Sequence, residues 1–399
     1  MKIEGADTTA RPEGRHPAPP RSRLVVSQSL EGGGAERLIT VLLRHMARKK
    51  FRPSLALFTR EGIFLEEIPP DVRVYDVGER SPYNVLRTAA RLRRVIREAN
   101  PSVILSILKH PNLVSLAVCR ASFRDIPVVV NDQTTLTPIL RGDRGRLLKR
   151  FLHRRLYPRA RGIIAVSCGV REDLERRFRI SDDLIKTINN PCDIERVQRL
   201  AREQPDLPID WSVPTVVAAG RLTEQKGFRY LLQAFAAVAN KRPCQLLILG
   251  EGEDRPALSR QAKDLRIADR VLMLGFQRNP FACMARGRMF VLSSVWDEVG
   301  NVIVEAMACG IPVVSTDCPS GPGEIITHGL NGLLVPPGDP DALAAAIERV
   351  LMDQALAKRL AEAGLARVRA FSPEIIVRQY ENALEEAACG PRVCANLSL

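Results

Sequence analysis

From Leu24 onward, short apolar runs alternate with amphipathic segments, and the alternation starts afresh after a proline-marked break. The first series reads LVVSQS, helical text from Ala35 to about Lys50, SLALFTR, a helix near 84–99, SVILSIL, a helix near 112–121, PVVVND and GIIAVS. It closes with the helical GVREDLERRF, a strand-like IKTINNPCD and a helix from Ile194 to Glu203. Residues 203–214, EQPDLPIDWSVP, read as a linker. The second series reads TVVAAGR, a helix at 228–240, CQLLILGEG, a helix at 254–265, RVLMLGF, a short helix near 280–286, MFVLSS, a helix containing Glu305, IPVVST and GLLVPPGD. Helical text follows at 339–352 and 354–371, and Ser372-Pro373, a good N-cap and N1 pair, opens a last helix ending near Ala388. Continuous apolar strands separated by helices pair in parallel and need helices on both faces.

The expected fold is therefore α/β, with two doubly wound Rossmann-like domains facing across a cleft. Its expected divisions are a disordered tail at 1–23, a first domain at 24–205, a second at 206–371, a helix at 372–388 packing back on the first domain, and a tail at 389–399. A length of 399 residues fits two cores rather than one.

Charge divides along the same line. Residues 1–205 hold 39 Lys/Arg against 23 Asp/Glu, and the remainder holds 20 against 22, so the excess of +14 belongs entirely to the first half. Such a field attracts phosphates of any kind. The nine cysteines show no CxxC pair and the five histidines no metal-ligand spacing, so a reduced compartment and no bound metal or cofactor are expected. Residues 1–23 lack the apolar core of a signal peptide, and no 18 apolar residues run together. The expected location is cytoplasmic, with any membrane contact peripheral.

Four clusters fall at the C-terminal ends of expected strands, where open α/β sheets bind ligands. In EGGGAER (31–37), three glycines let backbone N–H groups approach a diphosphate at a helix N-terminus. It lacks the GxGxxG of a dinucleotide site, which disfavours a nicotinamide dehydrogenase. In GRLTEQKGF (220–228), Arg221 and Lys226 can reach one diphosphate. LGEGED (249–254) reads chiefly as a structural glycine turn. The fourth runs from Phe290 to Glu324 and sets Asp297 and Glu305 eight positions apart, with Gly300, Asn301 and Val302 between them, before the SGPGE of 320–324. A carboxylate at Glu305 could accept hydrogen bonds from a vicinal diol such as a ribose.

These motifs, with VSCGVREDL, INNPCD, GNVIVEAMACGIPVVSTDCPSGPGEII and NGLLVPPGD, occur in an order that resembles the family-4 retaining glycosyltransferases of the GT-B fold, from Leu24 to about Ala388. The resemblance implies an NDP-sugar donor, UDP-sugar by family prior, held mainly by the C-terminal domain, and a glycan or lipid-linked acceptor held mainly by the N-terminal one. It implies that Arg221, Lys226 and the glycine turn through Gly33 and Gly34 hold the diphosphate. Glu305 would hold the ribose, Asp297 the transferred sugar, and the backbone of Gly300, Asn301 and Val302 the sugar and phosphates. The pattern departs at two places. The first acid is Asp297 rather than Glu, and Glu298 stands where a small residue is common, so either could touch the transferred sugar. Asn131 and Asp132 follow the strand that in many relatives carries a histidine, and with His110 they are candidate acceptor or sugar contacts.

In such a mechanism charge on the departing diphosphate is met by Arg221, Lys226 and helix N-termini, without a metal. Residues 141–161 interleave arginines and lysines with leucines and a phenylalanine, and Arg87 to Arg97 add five arginines. This basic amphipathic text suggests docking on an anionic membrane near a lipid-linked acceptor, as in bacterial surface polysaccharide or glycoconjugate assembly. The alternatives are a sugar-nucleotide epimerase of the same architecture or a basic nucleic-acid-binding protein. The second is opposed by an aromatic content of 5% and the lack of any known nucleic-acid-binding pattern, so no nucleic acid partner is expected.

Overall fold

The computed structural model describes residues 20–79, 84–135 and 146–389. Two wholly parallel sheets make up its frame. The first comprises β1 (Arg21–Ser27), β2 (Phe51–Leu57), β3 (Arg73–Asp76), β4 (Val103–Ile107), β5 (Val128–Asp132), β6 (Gly162–Ala165) and β7 (Ile185–Thr187), in the order β3-β2-β1-β4-β5-β6-β7. The second comprises β8 (Thr215–Ala219), β9 (Gln245–Leu249), β10 (Val271–Gly275), β11 (Met289–Leu292), β12 (Val313–Thr316) and β13 (Leu333–Val335), in the order β10-β9-β8-β11-β12-β13. The two orders are the same doubly wound plan used twice. In each, the direction of winding reverses between the first strand and the fourth, β1 against β4 and β8 against β11. Connections leaving such a pair diverge to opposite faces and open a crevice at the strands' C-terminal ends.

Burial on both faces explains the unbroken apolar strands. On one side of the first sheet Leu24, Val26, Ile104 and Val130 pack with Val114, Tyr157 and Leu174. On the other, Val25, Leu55, Leu105 and Val129 pack with Leu38 and Leu42. The second sheet is sandwiched likewise. The last helix, Pro373–Ala388, lies against the first sheet, not the second: Ile376, Val377, Tyr380 and Leu384 join the cluster built on Val25 and Leu105. Its Glu381 accepts from the Ala47 amide at 2.7 Å.

Some elements differ from the periodicity. The first helix, Gly34–His45, stops short of Lys50 because Met46 turns to an extended ψ of 133°, and Arg48 donates to the freed carbonyls of Leu43 and Met46 at 2.6 and 2.9 Å. Helix Lys109–Ser122 starts three residues before the expected 112. IKTINNPCD is strand only over Ile185–Thr187, after which Asn189 and Asn190 bond Val166 O and Gln133 Oε1 at 3.0 and 2.7 Å. β3 went unread in the sequence, because a four-residue edge strand with half-exposed side chains carries little hydrophobic signal.

Candidate functional site

The loops after β1, β4, β8 and β11 bring EGGGAER, LKHPN, GRLTEQKG and SSVWDEVGN to the two switch points. In the second domain, Gly227 is left-handed at φ 60°, and a Cβ there would stand 2.2 Å from Ser293 O, so the turn after Lys226 packs directly on the β11 loop. Beneath it, a Cβ at Gly250 or Gly252 would meet the carbonyls of Gly220 or Leu222 at 2.0 and 2.2 Å. LGEGED is thus the floor that supports the Arg221–Lys226 loop.

Lys226 forms an ion pair with Asp297. The Asp297 carboxylate also accepts from Ser294 Oγ at 3.2 Å and from the amides of Val299 and Gly300 at 3.5 and 3.3 Å, gathering the turn that starts helix Asn301–Ala308. Burial pushes its carboxyl up, but Lys226 and those amides outweigh burial and hold it below the usual range. Glu298 faces the other domain. Its Oε1 accepts from Thr135 Oγ1 at 3.1 Å and its Oε2 from Gln225 Nε2 at 3.4 Å, while burial and the neighbouring Asp297 raise its carboxyl.

Glu305, one turn into the same helix, pairs with Arg37 of GGGAER. The guanidinium lies between the rings of Phe64 and Phe281, 5.7 and 5.5 Å from their centroids. Burial opposes the Arg37 charge and Glu305 more than restores it. A Cβ on Gly34 would come within 2.4 Å of Asn301 Nδ2, so the glycine turn and Asn301 touch across the cleft. A Cβ on Gly33 would crowd the Glu36 carboxylate at 2.5 Å, and Arg221 is close enough to Glu36 to offset part of the upward push that burial gives its carboxyl. Val302 is half-buried beside them.

The first domain matches the family profile described as Glycosyltransferase Family 4 over residues 32–196, and the second matches the profile described as Glycosyl transferases group 1 over residues 213–353. A Campylobacter jejuni protein named as an N-acetylgalactosamine-N,N'-diacetylbacillosaminyl-diphospho-undecaprenol 4-alpha-N-acetylgalactosaminyltransferase is 29% identical over 358 residues, covering 88% of this chain and 95% of its own. The lipopolysaccharide core biosynthesis glycosyltransferase LpsE of Rhizobium meliloti is 39% identical over 197 residues, covering 49% and 56%. Among solved structures, sucrose-phosphate synthase of Thermosynechococcus elongatus shares the fold at TM-score 0.80 and 20% identity, covering 93% of this chain and all of its own, 100%. Anabaena HepE in complex with UDP-glucose does so at TM-score 0.77 and 23% identity, covering 92% and 99%. The chain belongs to the group 1 glycosyltransferases, family 4, with the GT-B fold.

The other residues singled out in the sequence of this glycosyltransferase are tied into the first domain. Asn131 and Asp132 are fully buried. Asn131 Nδ2 donates to Tyr380 Oη at 3.0 Å, and Asp132 Oδ1 accepts from Tyr157 Oη and Asn112 Nδ2 at 2.9 and 3.2 Å. Neither side chain is brought to the cleft, because both still belong to β5 and point into its helical layers. His110 is tied by Nε2 to Glu79 Oε1 at 2.9 Å and stands edge-on to Phe58.

Its neighbour Lys109 was missed. Leu108 takes an unusual φ of 77° for a non-glycine, and Lys109 follows it with Nζ donating to Thr135 O at 2.7 Å. Burial lowers its pKa to about 8, with Asp132 and Glu298 opposing the fall. A lysine beside a histidine draws little notice in sequence; the strained residue before it becomes visible only in the backbone.

VSCGVREDL and SGPGE also meet across the cleft. Glu324 accepts from the Cys168 amide at 2.9 and 3.0 Å and the Gly169 amide at 3.4 Å, the free N–H groups of helix Cys168–Phe178. Among the described residues, no group of three or more His, Cys, Asp and Glu is arranged to hold a metal, and no helix is long and apolar enough to cross a membrane.

Proposed function

We propose that this glycosyltransferase moves a sugar, with retention, from an NDP-sugar, UDP-sugar by preference, to a glycan or lipid-linked acceptor in surface polysaccharide or glycoconjugate assembly. The observation that carries this reading is the pair of half-buried ion pairs at the switch points, Lys226 with Asp297 and Arg37 with Glu305. They hold cations where a diphosphate would lie and a carboxylate where a ribose would lie. On donor binding, Lys226, still paired with Asp297, and Arg221 meet the diphosphate and Glu305 turns to the ribose diol, while the Gly33–Gly34 turn and the backbone of Gly300, Asn301 and Val302 close round the phosphates and sugar.

As the glycosidic bond breaks, charge gathers on the leaving diphosphate. A fixed cation there lowers the barrier without any solvent reorganisation. A leaving-phosphate oxygen takes the acceptor's proton, so the site needs no separate strong base. The donor belongs mainly to residues 206–371 and the acceptor mainly to residues 24–205. The names of the Campylobacter and Rhizobium relatives, which refer to a diphospho-undecaprenol and to lipopolysaccharide core, support a lipid-linked acceptor. Anabaena HepE, solved with UDP-glucose, supports a uridine donor.

Helix Arg146–Leu156 supports docking on an anionic membrane: Leu147, Leu148 and Phe151 are 74%, 63% and 61% exposed on a helix that also carries Lys149, Arg150, Arg154 and Arg155. Residues 141–145 of the basic stretch lie outside the described residues. In the other basic helix, Val85–Ala99, Leu86 is 88% exposed.

A screen of NDP-sugars for released nucleoside diphosphate, with and without acceptor lipid extract, tests the reaction; donor conversion without any acceptor would point to the epimerase instead. Full activity in Glu305→Gln would sink the ribose assignment. Failure to co-sediment at low salt with vesicles containing phosphatidylglycerol would end the membrane proposal.

A further inference from the structure

The two adjacent carboxylates of the β11 loop differ in what they can still accept. A carboxylate has about four lone-pair sites. Asp297 has four partners in place: Lys226, Ser294 Oγ and the amides of Val299 and Gly300. Giving them up would undo the turn that starts helix Asn301–Ala308. Glu298 has one side-chain partner on each oxygen, Thr135 Oγ1 at 3.1 Å and Gln225 Nε2 at 3.4 Å, and neither bond holds a turn or a helix start. Thr135 in turn is fixed through its carbonyl by Lys109 Nζ at 2.7 Å, which leaves its hydroxyl able to rotate.

A carboxylate, a hydroxyl and a nearby ammonium, walled in from both domains, suit a neutral group that donates and accepts through neighbouring hydroxyls. A sugar ring is such a group. The location fits as well, because Glu298 follows directly on the residue that pairs with Lys226, so a sugar hanging from a diphosphate on Lys226 would enter here. Resting on the transferase reading above, we propose that Glu298, Thr135 and Lys109 form a cross-domain subsite for the transferred sugar, in which Glu298 and Thr135 exchange their mutual hydrogen bond for bonds to two sugar hydroxyls while Lys109 holds Thr135 in place. Asp297 then acts as a positioning residue for Lys226 and the helix start. Selection of the donor sugar depends on both domains, since Thr135 and Lys109 come from the first and Glu298 from the second.

Titration of the full chain separates the sugar from the nucleotide. UDP, GDP and ADP are measured alone, then the matching NDP-hexoses and NDP-N-acetylhexosamines, and the ratio of the two dissociation constants reports what the sugar adds. Glu298→Gln should cut that ratio about tenfold, as for a lost hydrogen bond to a charged group, and the near-isosteric Thr135→Val several-fold, with affinity for the bare nucleotide within about twofold of the unaltered chain. Unchanged ratios in both variants, or a ratio near one in the unaltered chain, overturn the subsite and leave the transferase reading standing. If Glu298→Gln loses bare nucleotide and NDP-sugar affinity in step, Glu298 serves the nucleotide or the fold, and the assignment also fails. An unaltered chain that binds none of the three nucleotides overturns the transferase reading and the subsite together.

Discussion

Asn131–Asp132 and Asp297–Glu298 occupy comparable places, each a polar pair with an acid where a central parallel strand of its sheet ends. In the sequence both pairs suggest a ligand crevice. Asn131 and Asp132 remain in the ladder, with Asn131 in register with Ile107 and Ile164, and Asp132 with Ala165. The pleat therefore drives their side chains into the helix layers above and below the sheet. There they meet Tyr380 from the last helix, and Tyr157 and Asn112 from the other face. Asp297 lies five residues beyond the end of β11 at Leu292, free of the pleat, and its loop turns Asp297 to Lys226 and Glu298 to Thr135 of the opposing domain. Proximity to a strand end is thus a poor guide to which polar pair serves a ligand. Release from the ladder is the better one.

The largest effect should come from the cleft pair's cation. Lys226→Met removes the charge facing the leaving diphosphate and should lower transfer roughly 10²–10³-fold, read from nucleoside diphosphate release at saturating donor. An effect below threefold would remove Lys226 from the leaving-group site and with it most of the contrast.

Next comes Asp132→Asn, in the inner pair. Burial raises the Asp132 carboxyl from 3.8 to about 6, so its protonated form is favoured by folding, and the associated stability, complete below pH 3.8, is lost as pH rises through 6. The amide keeps an oxygen for Tyr157 and carries no charge. The variant should therefore be more stable at pH 7.5 by on the order of 2 kcal/mol, with the gain vanishing toward pH 4. Urea melts at the two pH values decide this, and equal stability of variant and unaltered chain at pH 7.5 would refute it.

Tyr380→Phe strips Asn131 Nδ2 of its partner, leaving Gln133 on Oδ1, and should cost about 1 kcal/mol in the same melts without altering kinetics. The smallest effect concerns Lys109, which joins the two regions. With its pKa lowered to about 8, its charge is lost as pH rises through that value, so the sugar-dependent part of donor affinity should weaken a few-fold between pH 7 and 9. Lys109→Met should remove that limb of the pH profile and leave bare nucleotide binding flat.

Most of the architecture was legible because parallel strands buried on both faces must be written as unbroken apolar runs, and both series were. The edge strand β3 and the early end of the first helix were not, since each depends on exposed or capping side chains with no period. In the site, Arg221, Lys226, Asp297 and Glu305 stood out by their placement in motifs. Arg37 sat within a quoted motif without being noticed, because its role rests on Glu305, 268 positions away. Lys109 and Thr135 left no trace for a similar reason: Thr135 matters through Glu298 of the other domain, and Lys109 through Thr135, 26 positions further along the chain.

The sequence by itself determined two doubly wound sheets, the break between them and the loops at which ligands can bind, because these follow from local periodicity and from where glycines and charges interrupt it. Only the tertiary structure decided which carboxylate is committed and which is available. That choice depends on how many hydrogen-bond partners surround each oxygen, and partners such as Lys226 on Asp297 and Thr135 on Glu298, 71 and 163 positions away in the chain, are brought there only by the fold.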